Sequence, residues 1–180
     1  VANDPSSLPA RQVMTSEAPS LTQQFNTLSS QFEGLRNQTN KQMQTTVDNI
    51  NSFATSIATL NGKIVADSGS QLPNDLLDQR DALLTKMAEK ISISTIAQQD
   101  GAISVFIGSG QSLVLGVNAA KLSLAGSSAD PDHKEILIDG QAISKQISGG
   151  ELSGALKFRN EALEPAQQQL GLVAAGFAVQ

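Results

Sequence analysis

Cysteine, tryptophan and tyrosine are all missing from this 180-residue chain, and each absence removes a class of explanation. Without cysteine there is no disulfide, no thiolate nucleophile and no cysteine-ligated metal. Aromatics amount to 3%, all of them Phe, and a single histidine is present. Charge is scarce as well, at 16% of residues with a net charge of −5. Twelve Lys and Arg scattered against 17 acids supply no basic face for phosphates, so a nucleic-acid partner is not expected. No apolar run approaches the roughly 18–20 residues that span a bilayer. The tail Leu170 to Val179 is too short and is interrupted by Gly171 and Gly176. No basic segment followed by an apolar stretch opens the sequence, so neither a cleavable signal peptide nor a membrane partner is expected.

What fills the space is uncharged polarity. Ser, Thr, Asn and Gln together account for 59 of the 180 residues, so solubility rests on hydroxyls and amides more than on ion pairs. The chain is long enough for one or two small domains with a real core.

Ser6 and Ser7 are candidate N-caps for a first helix, with Pro9 near its first turn, where a missing N–H matters little. Pro19 is expected to kink or break that helix. Beyond it Leu21, Phe25, Leu28, Phe32 and Leu35 form a heptad stripe. The stripe continues through Thr39, Met43 and Val47 in steps of four. It then resumes the heptad at Ile50, Ala54, Ile57, Asn61 and Ile64. The three consecutive four-residue steps are a register slip of the kind that locally unwinds a left-handed supercoil. From Leu21 to Ile64 such a helix is about 65 Å long at roughly 1.5 Å per residue. Between Thr22 and Thr59 only Glu33, Arg36, Lys41 and Asp48 are charged, so the apolar stripe has to be covered by other structure.

Asp67 to Ser70 reads as a loop, and Pro73-Asn74-Asp75 opens a second helix with Asn74 or Asp75 as its cap. Asp75 and Asp78 sit in its positive first turn and Lys86 and Lys90 in its last. Its apolar positions are Leu76, Leu77, Leu83, Leu84, Met87 and Ile91. The period then changes to two. Ile91 to Ile96 alternates, Asp100-Gly101 offers a turn, and Ile103, Val105 and Ile107 alternate on the return. Further short strands are expected at 113–115, 121–124, 135–139 and around Ala142, giving five or six antiparallel strands over roughly 91–147. After Gly149-Gly150 a helical pattern returns through Leu152, Leu156, Arg159, Leu163, Ala166, Leu170, Val173 and Phe177, with no slip and with a bend at Pro165.

The expected fold class is therefore α+β: an elongated antiparallel helical bundle with a small antiparallel β region inserted. Residues 1–90 are its N-terminal part, 91–148 the β region, and 149–180 a helix returning to the bundle.

Candidate chemistry is thin. His133 with Asp130, Asp132 and Glu135 matches no calcium or zinc spacing and reads as a polar surface loop. Asp75, Asp78 and Asp81 are better explained by helix capping and the dipole than as catalytic carboxylates. Gly108-Ser109-Gly110 is at most half of a phosphate loop and fits a hairpin turn. No enzyme activity and no cofactor are expected. Arg80 and Arg159 lie on apolar helix stripes. Either their stems pack while the heads reach solvent, or each pairs with a carboxylate and fixes helix register. Asp75, Asp78 and Asp81 join them as structural register candidates.

Four stretches carry a resemblance. Asn74-Asp-Leu-Leu-Asp-Gln-Arg-Asp81 resembles the signature of the flagellar hook-associated proteins that stand where hook meets filament. Asn3-Asp-Pro-Ser-Ser7 with Ala10-Arg11, Val105-Phe-Ile-Gly-Ser-Gly-Gln-Ser-Leu-Val-Leu115, and Gly149-Gly-Glu-Leu-Ser-Gly-Ala-Leu-Lys-Phe-Arg159 followed by Pro165 are similar to the same family. The resemblance implies a structural subunit exported through the flagellum's own channel and placed outside the cell. It implies copies of itself, the hook protein and a second junction protein as partners, and an export chaperone acting through a terminus. The match is to a central piece without the family's terminal helices. A helical secreted adhesin or effector fragment is the alternative reading of the same amide-rich helices.

Overall fold

The structure is a computed structural model that describes residues 8–67, 74–127 and 130–178. Helix α1 is Leu8–Asp67 and α2 is Asn74–Lys90. Seven strands follow among the described residues: β1 Ile93–Ala97, β2 Ile103–Ile107, β3 Gln111–Leu115, β4 Asn118–Ala119, β5 Leu122–Gly126, β6 Lys134–Ile138 and β7 Gln141–Ala142. A 3-10 turn at Ser144–Gln146 leads to α3 Gly150–Lys157, a π-helical segment Phe158–Leu163, and α4 Glu164–Ala178. The α+β class holds. The proposed caps Ser6 and Ser7, the loop after Asp67, and Pro73 lie outside the described residues.

Two compact units emerge. One is formed by 8–38 together with 159–178, and the other by Thr39–Phe158. α1 contributes its first half to the former and its second half to the latter.

In the 39–158 unit the stripe on α1 is buried at every expected position: Thr39, Met43, Val47, Ile50, Ala54, Ile57, Asn61 and Ile64. The slip is part of why. From Thr39 to Ile50 the steps four, four and three make 11 residues in three turns, close to the natural 3.6 per turn. The buried face therefore stays on one side of a helix that need not supercoil. Against it pack Met87 from α2 and Ile91 just after it, Val105, Ile107, Leu113 and Val114 from β2 and β3, Leu122, Ile136 and Ile138 from β5 and β6, and Leu152 and Leu156 from α3.

The β region is two antiparallel sheets, ordered β1-β2-β3-β4 and β5-β6-β7. In the second, Leu122 pairs with Ile138 and Leu124 with Ile136, so alternate residues share the inward face. β2 and β3 carry a bulge between Val105 and Phe106. The bulge lets Leu113 and Val114, consecutive in sequence, both be buried. β1 begins at Ile93, two residues later than the alternation suggests. Ile91 still bonds its N–H back to the Met87 carbonyl at 3.0 Å, finishing α2.

In the 8–38 and 159–178 unit the helix periodicity holds but its burial does not follow the same pattern. Leu21, Leu28 and Leu35 are 39–43% exposed, while Phe25 and Phe32 are half-buried. Phe25 meets Phe177 of α4 edge-on, with ring centroids 6.1 Å apart, a geometry that aromatic quadrupoles favour. Pro19 does not break α1, which continues through it.

The C-terminal helix departs from the expected stripe in a second way. The π segment ends just before Glu164-Pro165. A proline has no N–H to give and crowds the carbonyl four residues back, and a widened turn upstream accommodates both effects. The wider turn also adds a slip that the sequence pattern lacks. Downstream, the expected Ala166 and Leu170 are half-buried, as are Gln167 and Ala174, while the expected Val173 is exposed.

Candidate functional site: an amide-lined helix interface

Two asparagines on α1 hold the two sheets. Asn51 donates from Nδ2 to the Leu122 carbonyl at 2.8 Å and accepts the Leu122 N–H on Oδ1, also at 2.8 Å. Its amide thus imitates the main chain of a neighbouring strand for the first residue of β5. Asn61 repeats the device more deeply and with more partners. Its Nδ2 donates to the carbonyls of Ile103 (2.8 Å) and Gly116 (2.7 Å), and its Oδ1 accepts the Ile103 N–H at 3.1 Å. Asn61 is fully buried. An amide there is tolerable only because its hydrogen-bonding capacity is used. Asparagine suits this role because one short side chain carries a donor and an acceptor side by side.

Arg80 completes the second clasp. Its Nη1 donates to the Gly101 carbonyl at 2.8 Å and lies 3.3 Å from Asn61 Oδ1. Of the two readings offered by sequence, the head does not run out to solvent, and its partners are a main-chain carbonyl and an amide oxygen in place of the expected carboxylate. It ties α2 to the turn between β1 and β2. Arg159 is 2% exposed; its Nε donates to Asn160 Oδ1 at 3.0 Å and lies 3.6 Å from Glu164 Oε1. Asp75, Asp78 and Asp81 are exposed on α2, with Asp75 in its first turn.

A third polar junction joins α1, α2 and α3, and sequence reasoning missed it. Glu151, in the first turn of α3, receives Lys90 Nζ on Oε2 at 2.5 Å. Its Oε1 accepts Gln42 Nε2 at 3.3 Å and Thr46 Oγ1 at 3.2 Å. The hydrogen bond from Lys90 is the main reason the Glu151 carboxyl sits below its usual range; partial burial opposes the effect, and the Gln42 bond adds to it. The hydrogen bond to Glu151, then its charge, raises Lys90 above the usual lysine value. The signs of the linkage follow. A depressed carboxyl contributes stability that is present above its ordinary pKa and is lost as pH falls through the folded value. A raised lysine contributes stability that is present below its ordinary pKa and is lost as pH rises through the folded value. Neutral pH keeps both. Urea midpoints of the wild-type chain should therefore fall more between pH 7 and pH 3 than those of Glu151→Gln, which has no carboxyl to protonate.

The pair Gly149-Gly150 makes the junction possible. Both have positive φ (63° and 69°), and a Cβ on Gly150 would fall 2.5 Å from the Ile91 nitrogen and the Lys90 carbonyl carbon. The start of α3 lies directly on the end of α2, where no side chain fits. Gly150→Ala combines a backbone clash with a disfavoured φ and should cost at least ~2 kcal/mol by chemical denaturation. The doubled glycine was the available sequence signal for this close approach. Asn51 and Asn61 offered less: Asn61 stood out only as a polar residue on an apolar stripe.

The sequence's other motifs are placed as follows. His133 Nε2 lies 3.3 Å from Glu135 Oε1 in the turn before β6. Gly108 to Gly110 form the β2–β3 hairpin turn, closed by the Gly110 N–H on the Ile107 carbonyl at 3.1 Å. Among the described residues no group of His, Asp and Glu is placed to hold a metal ion. Nor, among them, is any helix long and apolar enough to cross a membrane.

Fold and interface together define a helical scaffold with small antiparallel sheets docked on it through side-chain amides. Known proteins make the class specific. The family model of the flagellar hook-associated protein FlgK helical domain matches residues 1–180, and the chain belongs to that family. It is 33% identical to flagellar hook-associated protein 1 of Escherichia coli K12 over 98% of its length, and 32% identical to that of Salmonella typhimurium over the same share. It superposes with a TM-score of 0.85 and 36% identity on the flagellar hook junction protein FlgK from Burkholderia pseudomallei, over 99% of this chain and 34% of that one. The chain spans about a third of the length of each of these relatives.

Proposed function

We propose that this chain is the helical portion of a structural subunit that joins hook to filament in a bacterial flagellum, without catalysis of its own. The observation that carries the reading is the superposition on a hook junction protein across 99% of the chain. Its partners are copies of itself and neighbouring axial proteins, outside the cell, with the 91–148 region facing away from the axis. Export from the cell and a chaperone acting through a terminus belong to the same reading. Arg80 and Arg159 act in it as register-setting residues together with Asp75, Asp78 and Asp81, and Asp75 also favours the positive start of α2.

The exposed leucines at 21, 28 and 35 support the reading physically. A heptad row left open along a helix suits packing against another helix. Leu21→Asp, Leu28→Asp and Leu35→Asp combined in the intact parent protein test it. Cells should build hooks but release filament protein unassembled, and the variant should still fold by circular dichroism. Normal filaments and motility from a folded variant would refute the proposal.

A further inference from the structure

The sequence contains a single Asn-Gly pair, Asn61-Gly62, and it lies inside α1. Asn-Gly is ordinarily a turn dipeptide. It is also the pair in which an asparagine side chain is most readily attacked by the next main-chain nitrogen, because glycine has no Cβ to hinder the approach. Here the fold obstructs the attack in two ways. Helical geometry directs the Gly62 N–H to a carbonyl one turn back and holds it away from the Asn61 Cγ. The Asn61 amide is fully buried and tied to Ile103, Gly116 and Arg80.

We propose that Asn61-Gly62 is a spontaneous deamidation site shielded by the native fold, so that time spent unfolded is written into the chain at one peptide bond. In the unfolded chain the Gly62 nitrogen loses its proton and attacks Asn61 Cγ. The N–Cγ bond forms, the Cγ–Nδ2 bond breaks, and the amide nitrogen leaves as ammonia. Water then opens the resulting five-membered imide at either carbonyl, leaving an ordinary aspartate at this position or its β-linked isomer. No oxidant or other reagent is required.

Folding discriminates against both products. In the ordinary aspartate an oxygen replaces the Nδ2 donor and faces the carbonyl oxygens of Ile103 and Gly116, which stand 2.8 and 2.7 Å from the present nitrogen. Arg80 reaches only the other oxygen, at 3.3 Å. The β-linked isomer inserts an extra main-chain carbon into α1 and breaks its hydrogen-bond ladder there. Gly62 itself is replaceable: a Cβ there meets only Val117 Cγ1 at 3.6 Å, an ordinary contact.

The test is incubation of the wild-type chain at mildly alkaline pH in buffer and in guanidinium chloride. Peptide mass spectrometry reads the one-dalton gain at Asn61 against Asn26 and Asn160 as internal references. Asn61 should convert fastest of the three in denaturant, and ~1,000-fold or more slowly in buffer, the ratio set by the unfolded fraction of a native protein. Gly62→Ala should lower the rate in denaturant to that of the reference asparagines. Dilution of aged chains into buffer should leave the two deamidated forms concentrated in the protease-sensitive fraction. Equal rates in buffer and denaturant, or no preference for Asn61 in denaturant, would overturn the site. Equal amounts of product in the folded and sensitive fractions would overturn the claim that the fold rejects it. The wild-type comparison stands whether or not Gly62→Ala folds.

Discussion

Ile57→Asp is expected to unfold the Thr39–Phe158 unit, while Leu28→Asp leaves it folded. Both residues occupy the same heptad stripe of α1, and sequence pattern alone treats them as equals. Ile57 is completely buried within the shared core of α1, α2, α3 and both sheets. A carboxylate there loses its hydration with no cation in place to receive it, and the branched butyl group it replaces leaves a void. Either effect alone is worth several kcal/mol. Together they exceed ~4 kcal/mol, a large part of the roughly 5–15 kcal/mol that a domain of this size commands. Leu28 is 43% exposed, so aspartate at that position remains in water and costs within ~0.5–1 kcal/mol. Guanidinium melts of the two variants, followed by circular dichroism, separate the cases. Similar midpoints for both would mean that the stripe is buried alike along its length.

Asn61→Ala should be nearly as severe as a large core truncation, although it removes only a few atoms. The substitution strands the Ile103 N–H and the Ile103 and Gly116 carbonyls, and leaves Arg80 Nη1 with the Gly101 carbonyl alone. Buried main-chain groups left without partners cost about 1–3 kcal/mol each. Water entering at the rim recovers part of that, and a net loss of about 3–4 kcal/mol is expected. Asn51→Ala provides the internal comparison. Its clasp serves one residue, Leu122, and is only half-buried, so its loss should be roughly half as large. If the two variants are equally mild, the amides are incidental to docking.

These contrasts mark where sequence was informative. Periodicity located α1, α2, every described strand except the two-residue β4, and α3, and the eight stripe residues from Thr39 to Ile64 are all buried as their spacing implies. Spacing reports which residues share a face, but not whether anything covers that face, so Leu21, Leu28 and Leu35 could not be told apart from Met43 and Ile57. The slip in α4 was hidden for another reason. The π segment is produced by main-chain crowding around Pro165, and Leu163, Ala166, Leu170 and Val173 read as an unbroken heptad across it. Most of the interface was hidden too. Asn61, Asn51 and Glu151 bond to partners that are 19 to 109 positions away in sequence, and no local pattern encodes such pairings. Arg80 was legible as a cation on an apolar stripe, but its carbonyl partner was not.

The outer face of α1 turns its hydroxyls inward. Thr22, Thr27, Thr45, Thr55 and Thr59 each donate to the carbonyl four residues earlier, at 2.8–3.1 Å, a habit that gently bends helices. Dissolved ions weaken attraction between exposed opposite charges, but they have little purchase on neutral bonds between a side chain and its own backbone. A helix finished in this way keeps the same grip in fresh water as in brine.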